Sequence, residues 1–146
     1  MDVLRTWVIP HESGYPILVR QNGFDVPVQN KWFCGYVGID NTHPCYELHD
    51  HEIYERYGDQ ISPHGGITYY NFSEDRDKDL KSDYKYYWIG FDCNHLGDEN
   101  IGYDFVAKEA IGLADALWSL NKNTKQFNLN NPDGIREYIR YIFKEE

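Results

Sequence analysis

The chain lacks a long apolar run, an even set of cysteines and an excess of basic residues, and each absence excludes a class of protein. A membrane-spanning helix needs about 20 mostly apolar residues, and the 146-residue sequence contains no such run. The N-terminal segment 1–7 also lacks the apolar core of a secretory signal peptide. Three cysteines do not suit a disulfide framework. We therefore expect a cytoplasmic protein that keeps its thiols reduced and does not enter a membrane.

The shortage of basic residues is confined to the middle of the chain. There are 24 acidic and 14 basic residues, which gives a net charge of −10. Residues 40–109 hold sixteen of the acidic and six of the basic residues, so the whole imbalance lies there. This field repels nucleic-acid phosphates and attracts a basic protein partner or a metal ion, which argues against direct nucleic-acid binding. The candidate partner-binding carboxylates are Glu47, Asp50, Glu52, Glu55 and Asp59.

Aromatic and β-branched residues are abundant, and their runs predict a sheet. Such residues fit a pleated, half-buried surface. They are concentrated in five segments, at 3–9, 17–20, 32–39, 67–72 and 84–91. The charged segment 47–57 predicts a short helix, and the polar segment 73–83 predicts an exposed hairpin loop between the last two strands.

The C-terminal third changes to a helical period. Apolar residues between 106 and 118 recur at three- and four-residue steps, with Asp104 as the predicted N-cap. A second helix is predicted to begin at Asn131-Pro132, after a polar linker at 121–130. We predict one α+β domain over residues 1–146, in which a twisted antiparallel sheet is packed on one face by two C-terminal helices.

Four residues form a candidate zinc site. Cys93 and His95 are two residues apart, and His64 lies at the other outer end of the predicted hairpin, so the three side chains are expected to meet. Thiolate, imidazole and carboxylate groups are the ligands that zinc prefers. Asp98 is the candidate fourth ligand, with Cys34 and water as alternatives. The site is predicted to be structural.

Other interpretations of the histidines and cysteines stay open. The pairs His43/Cys45 and His49/His51 are rival ligand sets, although His49 and His51 would point apart if the 47–57 segment is helical. Cys93 is also a candidate nucleophile with a histidine base, but an acidic neighbourhood opposes thiolate formation. The same side chains could instead be ordinary core and loop residues.

Two motifs resemble a family of small acidic proteins encoded by phages and prophages. The family pairs H-G-G-(L/I)-T-(Y/F) with W-(W/Y)-x-G-F-D-C-x-H-x-G-D, which correspond here to residues 64–69 and 88–98. Segments 35–38 and 43–44 also resemble the family, and the likeness spans about residues 32–118. The resemblance implies a phage setting, in which such proteins often inhibit host defence; anti-CRISPR proteins are a leading class.

Three functions follow from these features. The first is an anti-CRISPR-like inhibitor that binds a basic surface of an effector nuclease through an acidic, tyrosine-rich face, with a structural zinc ion. The second is a zinc-dependent hydrolase at His64, Cys93 and His95, with Asp98 or Asp92 as general base. The third is a sponge for a small signalling nucleotide. The first predicts a protein that is not an enzyme.

Overall fold

The computed structural model describes residues 2–23, 31–94 and 101–143. In this part of the chain the strands are β1 (Asp2–Ile9), β2 (Ile17–Gly23), β3 (Lys31–Ile39), β4 (Tyr69–Phe72) and β5 (Tyr87–Asp92). The helices are α1 (Asp50–Tyr57), α2 (Glu74–Asp79), α3 (Tyr103–Phe127) and α4 (Pro132–Phe143). The predicted fold class, an antiparallel sheet packed against helices, is confirmed.

The strands form one sheet in the order β1-β2-β3-β5-β4, and every pairing between neighbours is antiparallel. β4 and β5 are neighbours, as the hairpin prediction required. β4 lies at the edge of the sheet among the described strands. Within the described residues, no helix has the length and apolarity needed to cross a bilayer.

One face of the sheet packs against α3. The alternation of side chains along β3 and β5 directs Val37, Ile89 and Phe91 to this face. They meet the apolar stripe of α3, which includes Ala110 and Leu117. The sequence stripe at three- and four-residue steps therefore marks the face of α3 that leaves water.

The other face of the sheet is covered by α2, where the sequence predicted an exposed hairpin loop. That prediction is wrong, because Arg76 and Asp77 are buried. The Arg76 guanidinium lies 3.8 Å from the ring centroid of Tyr36. The Asp77 carboxylate accepts hydrogen bonds from the Trp88 indole N–H at 3.0 Å and from the Tyr86 backbone N–H at 3.3 Å. A charged segment is thus packed through cation–π and hydrogen-bond contacts that a polar pattern does not reveal.

The two C-terminal helices differ from their predicted limits. α3 begins after Gly102, so Asp104 lies inside its first turn and is not the cap. It also continues through Phe127 and absorbs most of the predicted polar linker. The predicted cap at Asn131 is confirmed, since its side chain accepts the backbone N–H of Asp133 at 2.8 Å. α4 packs on the end of α3, where Tyr138 and Tyr141 contact Phe127.

Candidate functional site

Of the predicted zinc ligands, His64 and Cys93 lie within the described residues, and His95 and Asp98 lie outside them. The His64 backbone N–H donates to the Glu109 carboxylate of α3 at 3.0 Å. Its ring meets the Phe105 ring edge-on, with 5.1 Å between centroids. His64 is therefore placed against the first turns of α3.

Cys93 lies on the same side of the sheet as His64. Its side chain is 2% exposed and belongs to the core cluster under α3. Its backbone N–H donates to the Phe33 carbonyl at 2.9 Å, which fixes the chain just beyond β5. No group of three or more metal-binding side chains occurs within residues 2–23, 31–94 and 101–143, and half of the proposed ligand set lies beyond those ranges. The zinc site stays a prediction.

Cys34 and Asp92 lie on the opposite face and are removed from the metal hypothesis. They are directly paired across β3 and β5, and alternation turns both away from the core cluster that contains Cys93. Both line a cleft of about 200 Å³ on the α2 side together with Trp32. Cys34 as the fourth ligand and Asp92 as a general base beside Cys93 are therefore wrong predictions. Burial also raises the pKa of the Cys34 thiol.

The rival pair His43/Cys45 is structural. His43 is 4% exposed; its Nε2 lies 2.7 Å from the Leu117 carbonyl oxygen, and its Nδ1 accepts the Cys45 backbone N–H at 2.9 Å. Both ring nitrogens are thus used in holding the 40–46 segment against α3. Burial, which disfavours the charged imidazolium, lowers the pKa of His43 to about 4. Burial likewise raises the pKa of the Cys45 thiol to about 12. Because backbone groups occupy both His43 ring nitrogens, this ring has no nitrogen left to bind a metal.

His49 and His51 lie together at the surface, because His49 precedes α1 and is not part of it. Their rings stack with centroids 5.9 Å apart. The His49 ring also meets Tyr70 edge-on at 5.3 Å, and its backbone N–H donates to Glu52 at 3.2 Å. The two rings therefore do not point in opposite directions, as they would if both residues lay inside one helix. The two imidazoles form part of an acidic surface.

The predicted partner-binding carboxylates all lie at the surface. Glu47, Glu55 and Asp59 are exposed, and Asp50 and Glu52 are half-buried. Ile53 is the buried residue of α1, and helical spacing turns Glu52 and Glu55 to the side away from it. α1 thus presents an acidic stripe to solvent.

Aromatic side chains adjoin this stripe. Tyr70 and Phe72 alternate to the same face of the edge strand β4. Phe72 contacts Tyr46 at 5.6 Å and Tyr87 at 5.3 Å between ring centroids, and it remains 38% exposed. The Tyr87 hydroxyl donates to the Leu48 carbonyl at 2.6 Å. An aromatic layer therefore lies beside the acidic segment and consists of Tyr46, Tyr70 and Phe72. Tyr87 packs beneath it, in contact with Tyr46 and Phe72.

Tyr87 joins the acidic segment to the aromatic rings, because its hydroxyl bonds the Leu48 carbonyl and its ring contacts Tyr46 and Phe72. Burial is the main cause that raises the pKa of Tyr87 to about 12; the neighbouring Tyr70 hydroxyl and the negative charges of Glu47 and Glu52 add to it. We call the surface made by Tyr46, Glu47, Asp50, Glu52, Tyr70 and Phe72 the acidic-aromatic face. The sequence pointed to the carboxylates but not to these particular rings. The period-2 placement of Tyr70 and Phe72 was the signal that could have found them.

Comparison of the chain with models of known protein families, with curated proteins and with solved structures found no match. The resemblance of segments 64–69 and 88–98 to the phage family therefore stays a prediction.

Proposed function

We propose that the protein is an anti-CRISPR-like inhibitor that binds a basic surface of a host-defence nuclease through the acidic-aromatic face. The observation that supports this most is the junction of carboxylates and partly exposed rings at the β4 edge. Aromatic side chains are the usual anchors of protein interfaces, and surrounding charges set the orientation and speed of association.

A nuclease that binds RNA or DNA keeps a positively charged channel for it. A surface carrying Glu47, Asp50 and Glu52 matches such a channel in sign, and Tyr46, Tyr70 and Phe72 supply apolar contact area within it. In this proposal the inhibitor occupies the channel and excludes the nucleic acid. The protein performs no chemistry on its partner.

Charge reversal on the face is expected to abolish inhibition. The triple variant Glu47→Lys, Asp50→Lys, Glu52→Lys should weaken binding at least about 100-fold, because like charges juxtaposed across an interface cost several kcal/mol. The measurement is DNA cleavage by guide-loaded effector nucleases, single-chain and multi-subunit, with inhibitor titrated at two salt concentrations. The native protein should inhibit less at high salt, since screening weakens exposed charge pairs.

The matched control places the same charge change on α2 and the segment that follows it, across the sheet. Glu74, Asp75 and Asp83 are exposed there, and the variant Glu74→Lys, Asp75→Lys, Asp83→Lys should inhibit like the native protein. Equal loss in both variants would indicate a dependence on net charge alone. Full inhibition by the first variant would refute this face as the binding surface.

A structural zinc ion forms the second part of the proposal. His64, Cys93, His95 and Asp98 would hold it, and their thiolate, imidazole and carboxylate donors suit zinc. The burial of Cys93 and the position of His64 on the same side of the sheet support this set. Bound there, the ion would join the segments before β4 and after β5.

Removal of one ligand is expected to remove the metal. His95→Ala should lower bound zinc from about one ion per chain to near zero and lower the melting temperature, because metal-binding energy adds to folding energy. Elemental analysis of protein purified without chelator, together with thermal unfolding, measures both. His51→Ala is the control and should keep its zinc. Native protein without zinc would defeat the proposal.

A further inference from the structure

A cavity of about 290 Å³ lies on the side of α3 where α1 ends. Its walls come from the 42–44 segment, the last turn of α1, and the C-terminal part of α3 with the residues that follow it. Neither the proposed nuclease-binding face nor the proposed zinc site makes use of it. Its side chains nevertheless show two features that point to a ligand.

The first feature is a pair of buried polar atoms that have no hydrogen-bond partner. Asn121 is 8% exposed; its Nδ2 donates to the Tyr15 hydroxyl at 2.9 Å, and its Oδ1 has no partner. The Thr124 hydroxyl is also buried without a partner. Both residues line the cavity. Buried polar groups are seldom left unsatisfied in a folded protein, so two beside one cavity require an explanation.

The second feature is the charge of the lining. Arg56 and Lys125 are among the residues that line the cavity, and none of these residues is acidic. The Glu52 carboxylate is 4.0 Å from the Arg56 guanidinium, and the pair is exposed to water, so it neutralises Arg56 only weakly. Basic residues in the last turn of a helix also complement the helix dipole. That role accounts for the charges but not for the cavity or the unpaired atoms.

We propose that this cavity binds the phosphate group of a small ligand no larger than a mononucleotide. Arg56 and Lys125 would make charge-assisted contacts to the phosphate oxygens, and the Thr124 hydroxyl would donate to one of them. The Asn121 amide can turn over, because the Tyr15 hydroxyl can donate to its Oδ1 as readily as it accepts from its Nδ2. The freed amide N–H groups then face the ligand. Tyr57 supplies an aromatic wall.

The test uses the full chain and three probes: inorganic phosphate, adenosine monophosphate and uncharged adenosine. We expect saturable shifts of the backbone amide resonances at Thr124 and Lys125 with either phosphate-bearing probe and none with adenosine. The double variant Arg56→Gln, Lys125→Gln should lose at least about tenfold in affinity. Lys108→Gln is the matched control, because this exposed lysine lies on α3 about 25 Å away along the helix axis. It should bind like the native protein.

A second variant separates the ligand role from a structural one. Thr124→Val keeps the shape and removes the unpaired hydroxyl, so it should raise the melting temperature of the free protein. It should also reduce the additional stabilisation that adenosine monophosphate gives. Failure of both phosphate probes to shift these resonances would overturn the site. So would equal shifts with adenosine, or unchanged affinity in the double variant. Nuclease inhibition is a separate readout, and its outcome does not affect this one.

Discussion

Lowering the pH from 7 to 4 is expected to remove about 3 kcal/mol of folding free energy through His43 alone. The pKa of this buried imidazole is lowered from 6.5 to about 4, mainly because burial disfavours its charged form. Between these two values the unfolded chain binds a proton that the folded chain does not. The stabilisation is therefore complete above pH 6.5 and is lost as the pH falls towards 4.

The measurement is urea unfolding at several pH values between 7 and 4. His43→Gln should be about 2–4 kcal/mol less stable at pH 7, because the Leu117 carbonyl and the Cys45 N–H lose their partner. The variant should also lose less stability than the native protein as the pH falls. The difference between the two curves isolates His43 from the carboxylates, which titrate in both proteins.

His51→Gln is the control for a histidine at the surface. The His51 side chain is 71% exposed, so its replacement should leave the pH dependence of stability nearly unchanged. Parallel curves for native protein and His43→Gln would show that the buried imidazole does not control acid sensitivity.

Gly90→Ala is expected to destabilise the fold by about 2–3 kcal/mol, because it overpacks the inner strand β5 against its neighbour β3. A Cβ at this position would collide with the Tyr36 ring and would lie 2.7 Å from the Gly35 carbonyl oxygen. The ring cannot easily move away, because the Arg76 guanidinium stacks on it at 3.8 Å. Relief would require β3 and β5 to separate or the Arg76 contact to break.

Gly112→Ala is the matched control, since it adds the same methyl group in open space. A Cβ there has no heavy atom within 4 Å, and alanine is the better helix former at a position inside α3. We expect a gain of about 0.5–1 kcal/mol. Calorimetric unfolding of both variants tests the contrast. A similar small effect at both positions would show that the close approach at Gly90 does not constrain the sheet.

Local residue patterns were enough to predict most elements of the sheet. The aromatic and β-branched run at 32–39 became β3, and the segment at 84–91 contains most of β5. Both strands are buried on two faces, so the strand preference of their aromatic and β-branched residues matches the buried position that the fold gives them. The helical stripe from Val106 onward predicted α3 in the same way. The apolar pattern did not predict the C-terminal part of α3, where Leu120, Asn121 and Phe127 are buried among polar neighbours.

The candidate sites depended more on long-range contacts. The sequence identified His43 as one of several open ligand candidates, but its role is fixed by the Leu117 carbonyl, 74 residues away along the chain. The sequence pattern indicated that Arg76 was an exposed loop residue, but in the structure α2 places its guanidinium over the Tyr36 ring. The cavity beside Lys125 joins segments that no local motif connects.

The sequence by itself determined the strand segments, the N-terminal part of α3, the concentration of acidic charge in residues 40–109 and the surface position of the α1 carboxylates. These follow from side-chain period and solvation, which act over a few residues. Tertiary structure alone decided which face each cysteine occupies, which histidine stays neutral and which rings join the carboxylates. Those outcomes depend on strand order and on burial against distant segments, and burial sets both the pKa of a side chain and its freedom to bind.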